Sequence, residues 1–263
     1  MLIVKVGGGA DINLQGVAAD LADLDTPAVV VHGANALRDE VAERMGTPKT
    51  VITSVSGYAS VFSDAPAIDA ILMSYSGLRN KRLVELCQRC GVNAVGLTGL
   101  DGALVRGERN KGIRVREGGK NLIKRDFSGK PRAANESLLR LLLDAGYTPV
   151  LTIPIVDEKG FAINSENDDI VNVLQDALSA EKIVQLIEAP GYLADADDPA
   201  SVISAMSRDE VAMREAQVEG RIKRKLMALR RLLDSGAAEV IMADGRTEHP
   251  IRDALAGRGT IIR

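Results

Sequence analysis

Short apolar runs alternate with stretches of helical spacing along this chain, and that rhythm constrains the fold more than any other feature. Leu2–Val6, Ala28–Val31, Val92–Leu97, Val150–Thr152, Phe161–Ile163, Lys182–Ile187, Val240–Met242 and Thr260–Ile262 read as strands. Leu14–Leu24, Ala36–Met45, Ile68–Cys90, Leu138–Ala145, Asp169–Leu178, Gly220–Ser235 and Ile251–Ala256 carry apolar residues at helical spacing, the third with an expected break near Gly77. Strands and helices in this alternation build a mostly parallel sheet covered on both faces, the α/β class. Between Val105 and Lys124 the pattern changes. Glycines at 107, 112, 118 and 119 separate short alternating pieces, which predicts hairpins. No internal repeat or low-complexity linker divides the 263 residues, so one domain with two lobes is expected.

Composition removes several classes. No apolar run approaches the ~20 residues of a membrane span. The start, MLIVKVGGG, does not read as a secretory leader. The cysteines are Cys87 and Cys90 alone, which excludes a secreted disulfide scaffold and fits a reducing cytoplasm. Their spacing is half a zinc site without a second half, and both fall on an apolar helical face, so buried structural thiols are expected. The net charge of −3 hides an asymmetry. Arg106 to Arg132 holds ten Lys/Arg and three Asp/Glu, a local +7, and the rest sums to −10. A concentrated positive segment on an acidic body does not describe a general nucleic-acid binder.

Candidate chemistry begins at Lys5-Val6-Gly7-Gly8-Gly9. Glycines after a first strand let backbone N–H groups approach phosphate oxygens. The string lacks the third glycine of a dinucleotide fingerprint, because Ile12 stands at the sixth position, and it lacks the Gly-Lys-Ser/Thr ending of a P-loop. What remains is a lysine inside an apolar strand. An ammonium there needs a partner, unless the strand is an edge beside a plain turn. His32-Gly33-Ala34 ends a second strand at the usual binding edge of an open α/β sheet. Asn164 to Asp169 gathers acidic and amide groups before a helix, as a capping turn or as a site. Gly220 to Lys225 puts basic residues at a helix N-terminus, against the helix dipole, as an anion site or as a solvated face. Gly96 to Gly102 reads as a turn into the hairpins.

Lys5-Val-Gly-Gly, His32-Gly33, Gly77-Leu-Arg-Asn80-Lys81, Gly96 to Gly102, Ala162 to Asp168, Gly220 to Lys225, Ala243-Asp-Gly245-Arg and Gly257-Arg-Gly259-Thr occur in that order over nearly the whole chain. Together they resemble the amino acid kinase family in its acetylglutamate kinase branch. They are closest to those members that act on an amino acid carried by a LysW-type protein. The resemblance implies a three-layer α/β sandwich with a central, mainly parallel sheet of about eight strands. Its N-lobe, about residues 1–150, would take the carboxylate substrate, and its C-lobe, about 151–263, would take ATP. A cytoplasmic homodimer is implied. Without an N-terminal helix before the first strand, arginine feedback is not expected.

The implied reaction moves the γ-phosphoryl group of MgATP to a side-chain carboxylate and yields an acyl phosphate. By resemblance Lys5 and Lys225 neutralise the transferring group, and Asp168 orients the two lysines. Gly7 and Gly8 donate N–H groups to ATP, which Lys225 also contacts. Gly33, Ala34 and Asn164 bind substrate. Mg²⁺ is held mainly by nucleotide phosphates, with no protein metal site. Arg106, Arg109, Lys111, Arg114, Arg116, Lys120, Lys124 and Arg125 match the hairpins that offer a basic surface to a small acidic amino-group carrier protein. Neither nucleic acid nor membrane is an expected partner. Three positions depart from the pattern. Val61 stands where an arginine usually clamps the substrate carboxylate, Ala34 where a second glycine is usual, and Ile187-Glu188 where Ser-Asp or Ser-Asn is usual. The alternatives are a kinase of free N-acetyl-L-glutamate and, less favoured by the intact lysines and Asp168, a non-catalytic nucleotide-binding homologue.

Overall fold

The apolar run at the start forms a strand, β1 (Leu2–Val6), whose side chains alternate between two buried faces. Ile3 enters the core on one side, and Leu2, Val4 and Val6 enter the core on the other. The computed structural model describes all residues except 56–58, 118–119, 196, 219 and 238. For 59, 117 and 220–225 it describes the backbone alone.

The further strands are β2 (Ala28–His32), β3 (Val51–Thr53), β4 (Ala59–Val61), β5 (Ala94–Gly99), β6 (Val105–Arg109), β7 (Ile113–Glu117), β8 (Lys120–Lys124) and β9 (Gly129–Ala134). They continue with β10 (Thr148–Val156), β11 (Ala162–Ile163), β12 (Lys182–Ile187), β13 (Ala205–Met206), β14 (Glu239–Asp244) and β15 (Thr260–Ile262). The α-helices are α1 (Leu14–Ala22), α2 (Asn35–Arg44), α3 (Ala65–Ile71), α4 (Asn80–Arg89), α5 (Glu136–Asp144), α6 (Asn167–Leu178), α7 (Arg208–Gln217), α8 (Gly220–Asp234) and α9 (Pro250–Leu255).

One sheet runs β13-β15-β14-β12-β1-β2-β10-β6-β9, with β5 and β11 also paired to β10. That makes eleven strands rather than about eight. The hairpin strands β6 and β9 and the two-residue strands β11 and β13 join its margins. Its centre is parallel throughout, in the pairs β14–β12, β12–β1, β1–β2, β2–β10 and β10–β5. The mixed α/β class is therefore as expected. Helices α3, α6 and α8 cover one face through Ile68, Ile170, Leu174 and Leu229. Helices α1, α4 and α9 cover the other through Val17, Leu21, Leu83 and Ile251.

The long helical stretch does not break at Gly77. It widens into a π-helical segment, Leu72–Arg79, between α3 and α4. The wider turn shifts which side chains face the sheet. Ile71 and Tyr75 pack into the first core, and Leu83 and Cys87 into the second. Cys87 and Cys90 are free thiols. Most expected spans move by only a few residues, but the β3–β4 hairpin, β9 and α7 were not anticipated. Helix α7 does carry a sequence signal, a reciprocal capping box between Ser207 and Glu210. Among the described residues no helix is long and apolar enough to cross a membrane.

Candidate functional site

Parallel strands end on a common edge, and there the turns after β1, β2 and β12 meet. Lys5 lies on β1 in register with Val31 of β2 and Gln185 of β12, so its side chain leaves the sheet on the face that α6 covers. Its Nζ reaches Asp168 Oδ1 at 3.0 Å, with the two side chains 11% and 26% exposed. Asp168 sits in the first turn of α6. A carboxylate there is favoured by the helix dipole. The ion pair answers how a lysine occupies a covered strand: its charge is compensated on the spot.

The glycine turn is built by backbone contact. A Cβ on Gly8 would lie 2.7 Å from Ala34 N and 2.8 Å from Asn35 N, and one on Gly33 would lie 2.8 Å from Gly8 N. Only glycine allows the two turns to approach so closely. The amides differ in use, which corrects one expectation. The Gly7 N–H donates to the Leu186 carbonyl at 2.9 Å and prolongs the ladder between β1 and β12. It is thus already engaged, which leaves the Gly8 amide as the donor of the expected pair. Glu188 leans over the same turn, and its Oε1 accepts from the Asp11 N–H at 2.9 Å.

Gly33 N–H donates to the Val6 carbonyl at 2.9 Å, and buried Ala34 starts α2 with no side-chain cap. His32 holds this turn from below. Its Nδ1 lies 3.2 Å from the Gly33 carbonyl, and its Nε2 lies 3.1 Å from Asn80 Nδ2. Asn80 also donates to the Val150 carbonyl at 3.0 Å. Burial pushes the imidazole pKa down to about 4, with Arg79 and Lys81 adding to the effect. His32 is therefore neutral at pH 7 and acts as a pin.

Asn164 faces the other side of the edge. Its Nδ2 donates to Ser63 Oγ at 3.0 Å, and its backbone bonds Phe127 and Gly129. Sequence reading missed Asp126, which organises this corner. Buried Asp126 accepts from Ser63 N at 3.0 Å and from Ser128 N at 3.1 Å. The single aspartate of a basic hairpin segment was the available signal. Arg79 was also missed; its Nη2 donates to the Gly9 carbonyl at 3.3 Å. Burial lowers its pKa, and Glu188 opposes that shift.

Lys225 lies on α8, but its side chain is outside the described residues. The helix itself is tied to the first turn of α6, because Arg231 Nη1 meets Asp169 Oδ1 at 3.3 Å. In the basic segment, Arg106 on β6 and Arg114, Arg116 and Lys120 on the β7–β8 hairpin are exposed, as are Lys111 and Arg125. Lys124 is half-buried. Arg109 differs. It lies 4.1 Å over the Phe127 ring, and its Nε donates to the Asp126 carbonyl at 2.7 Å. Its guanidinium fastens the hairpin to the Asp126 corner instead of standing free for a partner.

A glycine turn packed against a second turn, beside a strand lysine paired to a helix-start aspartate, forms an anion-receiving edge suited to phosphoryl transfer. The chain belongs to the amino acid kinase family, whose model matches residues 1–244. It is 41% identical over the full length of both proteins to "[LysW]-aminoadipate kinase" of Thermus thermophilus. It is 39% identical to the protein of that name from Deinococcus radiodurans, over all of this chain and 91% of the relative. An "Acetylglutamate kinase" of Methanopyrus kandleri is 31% identical over both full lengths. Among solved structures, an N-acetylglutamate synthase from Neisseria gonorrhoeae superposes with a TM-score of 0.78 at 20% identity. The match covers 99% of this chain and 58% of the synthase. An isopentenyl phosphate kinase matches over the whole of both chains with a TM-score of 0.64. These two show a shared fold.

Proposed function

We propose that this protein transfers the γ-phosphoryl group of ATP to the side-chain carboxylate of 2-aminoadipate or glutamate borne on a LysW-type carrier protein. The observation that carries this reading is the Lys5–Asp168 pair at 3.0 Å beside the glycine turn. It occurs in a chain 41% identical end to end to a kinase of that name. The acceptor is already ionised at pH 7, so no general base is required. Catalysis then rests on in-line positioning and on neutralising the transferring group. Lys5, held in place by Asp168, supplies one fixed cation. Lys225 on α8 supplies the second from the C-lobe. The Gly8 amide and the cramped Gly8–Gly33 contact fit a phosphate brought close to the backbone. Gly33, Ala34 and Asn164 line the acceptor side. Mg²⁺ bound to the nucleotide offsets phosphate charge. That ion would be held mainly by the nucleotide phosphates.

The exposed arginines and lysines of the hairpin arm dock the acidic carrier. Such complementarity raises encounter rate and specificity more than it changes the chemical step. The enzyme works as a cytoplasmic homodimer, in keeping with its free thiols. The reading is tested with purified protein, MgATP and carrier-borne 2-aminoadipate, trapping the acyl phosphate with hydroxylamine. Hydroxamate should form at the side-chain carboxylate in step with ADP. Equal kcat/KM on free N-acetyl-L-glutamate, unchanged by salt, would replace this reading with the free-substrate kinase.

A further inference from the structure

Lys5 and Asp168 are not the only polar groups on the covered face of the sheet. Gln185 stands on β12 directly beside Lys5 in the strand register. Its strand neighbours Ile183 and Ile187 enter the first core, so its side chain leaves the sheet on the same face as Lys5. Asn172 lies one helical turn beyond Asp168 on α6, and its Nδ2 donates to the Asp168 carbonyl at 3.1 Å. The two amides thus border the Lys5–Asp168 pair, one from the sheet and one from the helix that covers it.

Both are buried, Gln185 at 1% and Asn172 at 8% exposure. Neither Gln185 Oε1 nor Asn172 Oδ1 has a hydrogen-bond partner among the described residues. Burying an amide oxygen away from any donor is costly. Gln175, on the same helix and equally buried, shows the closed arrangement. Its Nε2 donates to the Ala180 carbonyl at 3.2 Å, and its Oε1 accepts from the Ala180 N–H at 3.1 Å. Lys5 has the opposite shortage. An ammonium carries three N–H donors. Among the described residues the Asp168 carboxylate is its partner, and a phosphate at the glycine turn would take a second donor. The third, on the side away from the edge, has only the covered face of the sheet to bond. A cation short of an acceptor therefore stands beside two oxygens short of a donor.

We propose that Gln185 and Asn172 are positioning residues for Lys5, acting through one ordered water that accepts from Lys5 Nζ and donates to both amide oxygens. Three polar partners are the usual number for a buried water. The proposal rests on the function argued above, in which Lys5 serves the transferring group. Lysine reaches that group on a flexible four-carbon stem. A single ion pair fixes the distance of its ammonium from Asp168 but leaves it free to swing about that carboxylate. The water supplies a second anchor, and the ammonium is then held toward the phosphate, where small errors of placement cost rate.

The test joins kinetics to a crystal structure of the full chain. Gln185→Met and Asn172→Leu keep the side-chain volume and remove the oxygen. Exchanging an unpaired buried amide for an apolar group of like shape is nearly neutral for folding. Each variant should lose about tenfold in kcat, the size of one hydrogen bond to a charged group, with KM for MgATP and for the acceptor little changed and the melting temperature the same or higher. Because both residues act through one water, the double variant should lose no more than the worse single variant. Losses that multiply, or a lowered melting temperature with kcat per folded molecule unchanged, would overturn the proposal. In wild-type crystals a density peak is expected about 2.7–3.2 Å from Lys5 Nζ and from both amide oxygens, and it should vanish in Gln185→Met. Absence of the peak, or of any one of its three contacts, would also overturn it. The crystallographic arm needs no acceptor, so it decides the water site even if carrier-borne 2-aminoadipate and glutamate are not substrates.

Discussion

The glycine edge of the sheet and the hairpin arm use positive charge in opposite ways. At the edge Lys5 is 11% exposed and fixed on a single carboxylate. On the arm Arg106, Arg114 and Arg116 project from short strands into water. The β7–β8 hairpin even forms its own two-stranded sheet, and among the described residues it meets the β3–β4 hairpin through Val55 N to the Arg114 carbonyl at 2.8 Å and a Ser54–Val115 bridge. A buried, paired cation acts over a few ångströms and is little affected by salt. Exposed cations act at a distance and are screened beyond about 8 Å at physiological ionic strength. On the proposed function, one chain separates transition-state charge from partner attraction, and perturbations should separate in the same way.

The largest effect is expected at Lys5. Lys5→Ala should fold and still bind MgATP, yet lose about 10²–10³ in kcat, the size typical of removing one preorganised donor. Full turnover in the purified variant would dissolve the contrast between edge and arm. Asp168→Asn keeps the shape of the α6 start and removes the charge that holds Lys5. Its kcat should fall about 10–100-fold, by loss of a charged hydrogen-bonding partner. On the arm, the triple change Arg114→Glu, Arg116→Glu, Lys120→Glu should lower kcat/KM for the carrier-borne acceptor by about tenfold at low salt. It should leave kcat intact and flatten the salt dependence; an equal loss at all ionic strengths would refute a docking role. The smallest effect concerns stability. His32 titrates near pH 4 in the fold, against about 6.5 in an unfolded chain. The unfolded state therefore binds the proton first. The His32 contribution is whole above pH 6.5 and is lost as pH falls toward 4, by roughly 3 kcal/mol at the limit. Melting temperatures from pH 7.5 to 4.5 should show this slope in wild type and a shallower one in His32→Gln.

Legibility in the sequence followed the distance over which each signal acts. Strand and helix periodicity is local, so β1, β12 and β15 could be read to the residue. The lysine of β1 stood out because a charge in an apolar run is a local contradiction. By contrast, Asp126 and Ser63 lie 63 positions apart and meet only when the turn after β4 comes beside the segment that leads into β9. Arg38 and Val61 share a cavity although their segments look unrelated in the chain. The β3–β4 hairpin escaped because its strands are three residues each, too short for alternation to register. The Gly77 break was misjudged for a different reason. A glycine weakens a helix, but the packing of Tyr75 and Leu83 on two faces of the sheet favours a widened turn over an interruption.

The place of β1 has a consequence for how the protein is made. Leu2 pairs with Ala28 on one side and with Lys182 on the other. During synthesis the first neighbour emerges early, whereas the second follows some 150 residues later. At about 5–20 residues per second that interval is roughly 10–30 s. Throughout it, β1 exposes an open edge of backbone donors and acceptors, the surface on which nascent chains aggregate. Lys5 stands in that edge before Asp168 has been translated. The ammonium later buried against Asp168 is, for those seconds, a charged gatekeeper on an unfinished sheet.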